Sequence, residues 1–325
     1  MKKIVFLALF ISAVMMLLPL AVLGEELDTK DTGRIMTVSK KQPKTEKNGE
    51  VVFRVYDKEN DKVIELKAED YIFGVVAAEM PAAYETEALK AQAVAAFTYA
   101  CYKKAQNRNK EYDITTDYTV DQSYISLEKA KERWGEKADE YVKKIKDAVD
   151  STKYLVLSYD SAPILAVYHA VSSGKTYSAK EVWGKELPYL QPVLSDGDKL
   201  APNYLSTITF QESELKSKLC AALNIKATDD DLLNNRVSGK SGIVTCVSVF
   251  GKEVSGSSLR SALDLPSSNY KFEKDGNTYV FKCYGYGHGV GMSQNGANYM
   301  AKQGYTYKEI LNHYYTDCKL EKYKG

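Results

Sequence analysis

The chain has few histidines, few tryptophans and no excess of charge of either sign. Its 325 residues include 3 His and 2 Trp, and 44 basic residues stand against 43 acidic ones, for a net charge of +1. Proteins that bind nucleic acid usually carry a basic surface, and this composition gives no sign of one. We therefore expect no nucleic-acid partner.

Cysteine is scarce as well. The 5 cysteines include no Cys-x-x-Cys pair, so no zinc site of familiar spacing is predicted. Because their number is odd, they cannot all pair within the chain. Cys101 and Cys220 lie among apolar residues of predicted helices and are interpreted as buried thiols, whereas Cys246 and Cys283 lie in predicted strands and could form a disulfide.

Tyrosine is abundant, with 25 Tyr against 9 Phe. A tyrosine ring can stack on a sugar while its hydroxyl forms a hydrogen bond, so a tyrosine-rich surface suits polar polymers. Tyrosine is also typical of strands in β-rich proteins. Composition alone leaves both interpretations open.

One long apolar run stands at the N-terminus. Residues 4–23 carry no charge and follow Met1-Lys2-Lys3, and twenty apolar residues can span a bilayer. An uncleaved anchor is favoured over a cleaved signal peptide ending near Gly24, and either one exports the rest of the chain. Residues 1–24 are thus predicted to be a signal-anchor. Residues 25–50 are polar and lack a hydrophobic period, which predicts a linker.

Residues 51–325 are predicted to form a single large α+β domain with antiparallel hairpins and a central alanine-rich helix. That helix spans 85–106, where seven alanines occur and few residues break helices. The first hairpin is expected at 51–56 and 62–66, followed by a helix over 69–79. Further helices are predicted at 127–150, 212–223, 257–265, 294–303 and 307–315, and further strands at 154–159, 164–170, 208–210, 242–250 and 270–284.

The segment 285–297 is the most unusual stretch of the sequence. It reads Gly-Tyr-Gly-His-Gly-Val-Gly-Met-Ser-Gln-Asn-Gly-Ala, in which five glycines surround His288, Ser293 and Gln294. Glycine is placed where backbone turns sharply or approaches another group closely. Because a predicted helix follows, the loop should also present free N–H groups at a helix N-terminus. The segment is therefore a candidate site.

Glu79 is the carboxylate best placed for acid catalysis. It lies in the apolar frame Val-Val-Ala-Ala-Glu-Met-Pro at the end of a predicted helix. Burial and the negative end of the helix dipole both disfavour its ionised form, so its pKa should be raised, as a general acid needs near neutral pH. The alternative is a solvated glutamate at a helix end.

A second cluster lies at 168–176, where a strand is predicted to end. This placement could expose His169, Ser173 and Lys175 together. The segment matches Ser-x-x-Lys by letter, but the companion motifs of penicillin-recognising enzymes are missing, so a serine nucleophile is disfavoured. A metal site built from His288, His313 and Cys318 is disfavoured too, because no acidic or cysteine partner is suitably spaced near His288.

These motifs occur in a fixed order that resembles the SpoIID/LytB family over nearly all of residues 51–325. The order is Ala-Glu-Met-Pro at 78–81, Glu-Ala-Leu-Lys-Ala-Gln-Ala at 87–93, Tyr-His with Ser-Gly-Lys-Thr at 168–176, Val-Trp-Gly at 182–184, and Gly-His-Gly-Val-Gly-Met-Ser-Gln at 287–294. Several motifs in one order are more specific than any single motif.

The resemblance implies a lytic transglycosylase without a cofactor. It would cleave peptidoglycan between N-acetylmuramic acid and N-acetylglucosamine, on strands stripped of stem peptides, during engulfment of the forespore. It implies an anchor in the mother-cell membrane, a domain in the intermembrane space, and a complex with stage II sporulation proteins P (an amidase) and M. Glu79 would be the catalytic acid and base, and the glycan groove would be lined by Lys90, Gln92, Tyr168, His169, Ser173, Lys175, His288, Ser293 and Gln294.

The chain departs from the family pattern at two points. Relatives commonly carry Arg where this chain has Phe97, and some carry a His/Cys zinc cluster in the loop that here, at 113–122, has neither residue. No zinc is therefore expected. The change at Phe97 favours an alternative on the same fold, a module that binds peptidoglycan or enhances an amidase without cutting glycan.

Overall fold

The computed structural model describes residues 50–324. The predicted signal-anchor and nearly all of the predicted linker lie outside this range. Among the residues described, no helix is both long and apolar enough to cross a membrane.

The fold begins with the predicted hairpin. Strand β1 (Val52–Asp57) pairs antiparallel with β2 (Lys62–Lys67), and the two-residue β3 (Ile114–Thr115) joins β1 in parallel. Phe53 and Val55 of β1 are fully buried because they face the first helices. The hairpin prediction is confirmed to within one residue at each end.

Two helices form the centre of the molecule. Helix α1 (Ala68–Glu79) is followed by Pro81 and by α2 (Thr86–Gln106), which contacts α1, later helices and three strands. An unbroken stretch of α2, from Ala91 to Cys101, is buried on every side. Alanine's small side chain permits such close packing around a whole helix, so the prediction of a central alanine-rich helix is confirmed.

The remaining elements follow in chain order. They are α3 (Leu127–Trp134), α4 (Ala138–Ser151), β4 (Leu155–Tyr159), β5 (Ala162–Pro163), β6 (Tyr168–His169), α5 (Ala179–Trp183), β7 (Leu205–Gln211), α6 (Glu212–Leu223), β8 (Leu233–Ser238), β9 (Val244–Val249), β10 (Lys252–Ser255), α7 (Gly256–Ala262), β11 (Tyr270–Asp275), β12 (Thr278–Tyr284), β13 (Met292–Ser293), α8 (Gln294–Lys302), α9 (Tyr307–Tyr314) and β14 (Lys319–Lys322). Short 3-10 turns lie at Gly135–Lys137 and Asp196–Leu200.

The buried apolar residues form two large clusters instead of one. The first surrounds α1 and α2, and the second draws only on residues 210–283. That segment contains two three-stranded antiparallel sheets, ordered β11-β12-β7 and β10-β9-β8. Helices α6 and α7 contact these strands, so the segment buries a core of its own.

Two predicted elements differ from the structure, and some observed strands were not predicted. Gly135, with a φ of +54°, ends α3 and splits the helix predicted over 127–150. The strand predicted over 164–170 contracts to β6. Strands β8 and β10 were not predicted, because they are mostly polar and exposed and show no alternating pattern. The Cys246–Cys283 disulfide left open by the sequence does not form, since neither of these two thiols is in a disulfide.

Candidate active site

The glycine-rich segment is held against β6 by a short parallel pairing. Met292 of β13 lies opposite Tyr168 and Ser293 lies opposite His169. Gly291 permits this approach, because its φ is +70° and a Cβ there would lie 2.1 Å from the carbonyl oxygen of Val167. The two sequence clusters, 168–176 and 285–297, therefore meet at one place.

Helix α8 starts directly after this pairing, as predicted. Ser293 is its N-cap, and the Ser293 hydroxyl accepts a hydrogen bond from the N–H of Gly296 at 3.1 Å. Gln294 is the first helical residue and its side chain is 3% exposed. The start of the helix thus directs Gln294 inward, towards α2.

Glu79 ends α1 and is buried, with 9% of its surface exposed. Its Oε1 accepts a hydrogen bond of 2.6 Å from the backbone N–H of Ser123. Burial raises the pKa of Glu79 from 4.5 to about 7, while hydrogen bonds from Ser123 and Gln294 lower that pKa in part. The direction agrees with the expectation from sequence, and the solvated alternative is wrong.

A glycine in α1 brings Ser123 to this carboxylate. A Cβ on Gly74 would lie 2.3 Å from the Tyr124 ring and 2.6 Å from the carbonyl oxygen of Ile125. The bare glycine lets the loop after β3 lie directly on α1, and Ile125 donates its N–H to the carbonyl of Gly74 at 3.2 Å. The loop that the sequence left as irregular therefore closes over Glu79.

Two glutamines face each other beside Glu79. Nε2 of Gln294 donates to Oε1 of Gln92 at 3.3 Å, and the Gln294 side chain also hydrogen-bonds Glu79. Nε2 of Gln92 is buried and has no hydrogen-bond partner. An unpaired buried donor is costly, so this amide is an unsatisfied group inside the network.

Tyr168 approaches the same carboxylate from β6. Its hydroxyl donates to Oε1 of Gln122 at 2.8 Å, and Nε2 of Gln122 donates to the hydroxyl of Tyr71 at 3.2 Å. The negative charge of Glu79 is among the causes that raise the pKa of both tyrosines, after burial itself. Both phenols therefore stay protonated and can act only as neutral groups.

The two histidines are fixed in different tautomers. His288 accepts the N–H of Val290 at Nδ1 (3.1 Å), so its Nε2 carries the proton and donates to the carbonyl of Tyr168 at 2.9 Å. His169 donates from Nδ1 to the carbonyl of Val290 at 3.1 Å. Its Nε2 is therefore a bare acceptor, and it is buried without a partner.

Both imidazoles are neutral. Burial lowers the pKa of His169 to about 4 and holds the pKa of His288 well below its usual range. Their ring centres are 5.6 Å apart, and the Trp183 ring lies 5.3 Å from that of His288. They act here as neutral donors and acceptors, not as cations.

Ser293 and Ser173 hydrogen-bond other side chains and have no histidine partner. Ser293 donates to Oδ1 of the fully buried Asp198 at 2.8 Å, and Oδ2 of Asp198 accepts from the N–H of Ser172 at 2.9 Å. The Ser173 hydroxyl lies 2.8 Å from that of Tyr177. Neither serine is arranged for nucleophilic attack.

The two predicted lysines lie differently from the buried groups. Lys90 forms a 2.7 Å ion pair with Glu87 and lies 5.9 Å from the Tyr307 ring centre, where α2 meets α9. Lys175 is exposed. Their predicted part in glycan binding stays a prediction.

Most of the predicted groove residues form a buried network instead of an open wall. Gln92, Tyr168, His169, Ser293 and Gln294 are at most 8% exposed. Glu79 and His288 are scarcely more exposed, at 9% each, so the whole network lies beneath the surface.

Sequence reasoning missed several members of this network. Ser123 and Gln122 were assigned to an irregular loop, and Asp198 and Trp183 had no assigned role. Of these, Trp183 carried a usable signal, because its Val-Trp-Gly motif belongs to the family pattern. The others become neighbours through contacts between residues more than forty positions apart.

No metal centre is gathered in the part of the chain that the structure describes. No group of three or more His, Cys, Asp or Glu side chains in 50–324 could hold an ion. His313 instead lies beside Tyr314, and its Nε2 is 2.7 Å from the carbonyl of Leu194.

Comparison with known proteins places the chain in a family. A family model described as stage II sporulation protein, SpoIID, matches residues 56–159, which include Glu79. Stage II sporulation protein D of Bacillus subtilis (strain 168) is 35% identical over 303 residues, covering 91% of this chain and 87% of that protein. The chain therefore belongs to the SpoIID family of sporulation proteins.

Two further relatives define the range of this similarity. Stage II sporulation protein D of Bacillus amyloliquefaciens is 34% identical over 330 residues, covering 97% of this chain and 94% of that protein. The amidase enhancer of Bacillus subtilis (strain 168) is 29% identical over 304 residues, covering 77% of this chain but 40% of that protein.

Proposed function

We propose that this SpoIID-family protein is a peptidoglycan lytic transglycosylase. It cleaves the bond between N-acetylmuramic acid and N-acetylglucosamine in strands that have lost their stem peptides, and it leaves 1,6-anhydro-muramic ends. The reaction serves forespore engulfment during sporulation. The observation that carries the proposal is the buried Glu79, whose pKa is raised to about 7.

Glu79 is a solitary acid, and this favours one particular glycan chemistry. Among the residues described, no second carboxylate contributes to its pKa. Glycosidases that use water commonly employ two carboxyl groups on either side of the bond. A lone carboxyl can serve instead as acid and then as base when the sugar supplies its own nucleophile.

The steps balance with Glu79 as the only proton carrier. Protonated Glu79 donates its proton to the glycosidic oxygen as the C1–O bond of the muramic residue breaks, and the N-acetylglucosamine leaves with a free 4-hydroxyl. The muramic 6-hydroxyl oxygen then bonds to C1 of the oxocarbenium-like species and gives its proton to the Glu79 carboxylate. The acid is thereby restored without water.

The neighbours of Glu79 supply neutral hydrogen-bonding groups. The unpaired Nε2 of Gln92 is a donor and the unpaired Nε2 of His169 is an acceptor, so together they would suit hydroxyl and N-acetyl groups once the enclosed site opens to admit a sugar. Neutral partners fit an uncharged sugar ring and leave the carboxyl of Glu79 free to cycle its proton.

We extend the proposal to location and partners. The uncharged run at residues 4–23 would anchor the chain in the mother-cell membrane, with the domain in the intermembrane space. Stage II sporulation proteins P and M would complete the complex, since an amidase must strip the stem peptides first. Family membership supports these assignments.

A second candidate function is a glycan-binding, amidase-enhancing module. It is favoured by the relative named amidase enhancer, which is 29% identical over 304 residues. In that case the buried network would hold glycan without cutting it. The substitution at Phe97 no longer favours this candidate, because that side chain of α2 packs against Phe53, Tyr154 and Tyr323, near the start of α1, whereas Glu79 ends α1.

One digest separates the two functions. The full-length chain is incubated with stem-free glycan strands, and the products are identified by mass spectrometry. We expect anhydro-muramic ends from the wild type and none from Glu79→Gln. The matched control is Glu69→Gln, on the same helix but ion-paired with Lys153, which should keep cleaving. Strands that are bound but never cut by the wild type would refute the enzyme.

A further inference from the structure

Arg260, in α7 of the segment 210–283, reaches the glycine-rich loop. Its Nε donates to the carbonyl of Leu265 and its Nη2 to the carbonyl of Pro266, each at 3.1 Å. The Pro266 carbonyl also accepts the N–H of Gly287 at 2.9 Å. The guanidinium therefore lies beside the loop that carries His288.

This cation has no acidic partner within residues 50–324. No Asp or Glu forms an ion pair with it. The ionisable groups that influence the pKa of Arg260 are Tyr286, Cys283 and Tyr177, and all three are neutral near pH 7. Burial lowers the pKa of Arg260 to about 10, so it stays charged at neutral pH. Its Nη1 donates no hydrogen bond to the described protein. A half-buried cation in this state suits an incoming anion.

Arg260 and Trp183 share His288 as a neighbour. The positive charge of Arg260 helps to lower the pKa of both His288 and His169, and the half-buried Trp183 ring lies 5.3 Å from the His288 ring. An aromatic ring and a cation that both lie near His288 are together suited to a sugar that carries an acidic substituent. Arg260 and Trp183 are themselves only half-buried, so both side chains are partly open to solvent.

We propose that Arg260 selects stem-free glycan by binding the lactyl carboxylate of a muramic residue, while Trp183 stacks on that sugar. The inference rests on the proposed function, since it concerns the same substrate. A stem peptide is joined to the lactyl group by a neutral amide, and its removal leaves a carboxylate. The fork of a guanidinium matches a carboxylate far better than an amide, because charge-assisted hydrogen bonds are the stronger ones.

A purely structural role for Arg260 makes a different prediction. The guanidinium would then only bind the Leu265 and Pro266 carbonyls, and replacing it would weaken all glycan binding equally. A selective role requires the effect to depend on the charge of the lactyl group.

Binding measured by calorimetry tests this difference. The full-length chain carrying Glu79→Gln, which prevents turnover, is titrated with stem-free strands and with the same strands after conversion of their lactyl carboxylates to methylamides. We expect about ten-fold tighter binding of the carboxylate form, the size of one charge-assisted contact. Arg260→Gln should bind both forms equally, and Arg260→Lys should keep part of the preference.

The control is Arg236→Gln, an exposed arginine of the same segment that donates to Ser238, and it should keep the full preference. Absence of a preference before Arg260 is changed, or a ten-fold preference that survives in Arg260→Gln, overturns the proposal. If Arg260→Gln fails to fold, Arg260→Lys decides by whether the preference falls. If the chain prefers the carboxylate form but the wild type yields no anhydro-muramic products, the proposed function is refuted while this inference is retained.

Discussion

The backbone N–H of Ser123 donates a 2.6 Å hydrogen bond to Oε1 of Glu79, across 44 positions of sequence. The bond partly offsets the cost of burying the ionised carboxylate, while burial itself raises the pKa of Glu79 to about 7. The balance leaves Glu79 able to give up a proton and take it back near neutral pH. Small changes around this contact should therefore change the pH dependence of the reaction.

The pH profile of cleavage should follow the protonation of Glu79. Its acid form starts the reaction, so kcat should be level below pH 6 and fall about ten-fold per pH unit well above pH 7. The measurement is the rate at which anhydro-muramic ends form across pH 5–9. A rate that is unchanged up to pH 9 would contradict the assignment of Glu79 as the acid.

Gln294→Met should shift the pH profile of cleavage to higher pH. The Gln294 side chain donates a hydrogen bond that lowers the pKa of Glu79, so its loss raises the pKa further and shifts the alkaline limb to higher pH. Methionine keeps the length of the side chain without the amide. The control is Gln303→Met at the exposed end of the same helix, which should leave the limb in place.

Folding stability should depend on pH through the ionisation of Glu79, and Glu79→Gln should remove this dependence. The folded pKa of about 7 exceeds the usual 4.5, so the folded state holds more protons between these values. Stability is thus greatest below pH 4.5 and falls by about 3 kcal/mol as pH rises from 4.5 through 7. Glu79→Gln should be more stable than wild type at pH 8, as measured by denaturant unfolding.

Glu69→Gln is a control that should change folding stability in the opposite direction from Glu79→Gln. Hydrogen bonding and charge attraction from Lys153 outweigh burial and lower the pKa of Glu69, so its ionised form stabilises the folded state above pH 4.5. The substitution should therefore reduce stability at neutral pH. Equal effects of the two substitutions would refute the role given to burial at Glu79.

Gly74→Ala should impair cleavage through the loop that carries Ser123. The added methyl group would lie 2.3 Å from the Tyr124 ring, so the loop must move away from α1. We expect a loss of about 1–3 kcal/mol in stability and a lower kcat. Gly304→Ala is the control, since a Cβ there meets nothing within 4 Å and its φ of +91° costs stability alone. Full activity in Gly74→Ala would contradict this account.

Phe97→Arg should leave kcat unchanged. Phe97 and Glu69 line the same small cavity at the start of α1, about 15 Å along the helix from Glu79. The unpaired Oε2 of Glu69 is buried there, and an arginine could bind it. The arginine that is common in relatives would then form an ion pair with Glu69 and would not contact Glu79. A kcat that rises well above the wild-type value in this variant would contradict that interpretation.

The sequence predicted most elements but not the division of the core. Helices with strong periodicity or dense alanine, such as α1 and α2, were placed to within one residue. Exposed polar strands such as β8 carry no alternating pattern, so the second cluster at 210–283 was not foreseen. Strand pairing of this kind depends on neighbours distant in the chain.

The sequence by itself determined the family, the central helix and the identity of Glu79 as the acid candidate, because those rest on local motifs and local propensity. The tertiary structure decided what surrounds that acid. Ser123, Gln92 and Gln294 come from three separate segments, and they meet only when Gly74 and Gly291 let backbones approach. Burial depends on the packing of the whole domain, so the raised pKa of Glu79 and the unpaired charge of Arg260 are set by the tertiary structure.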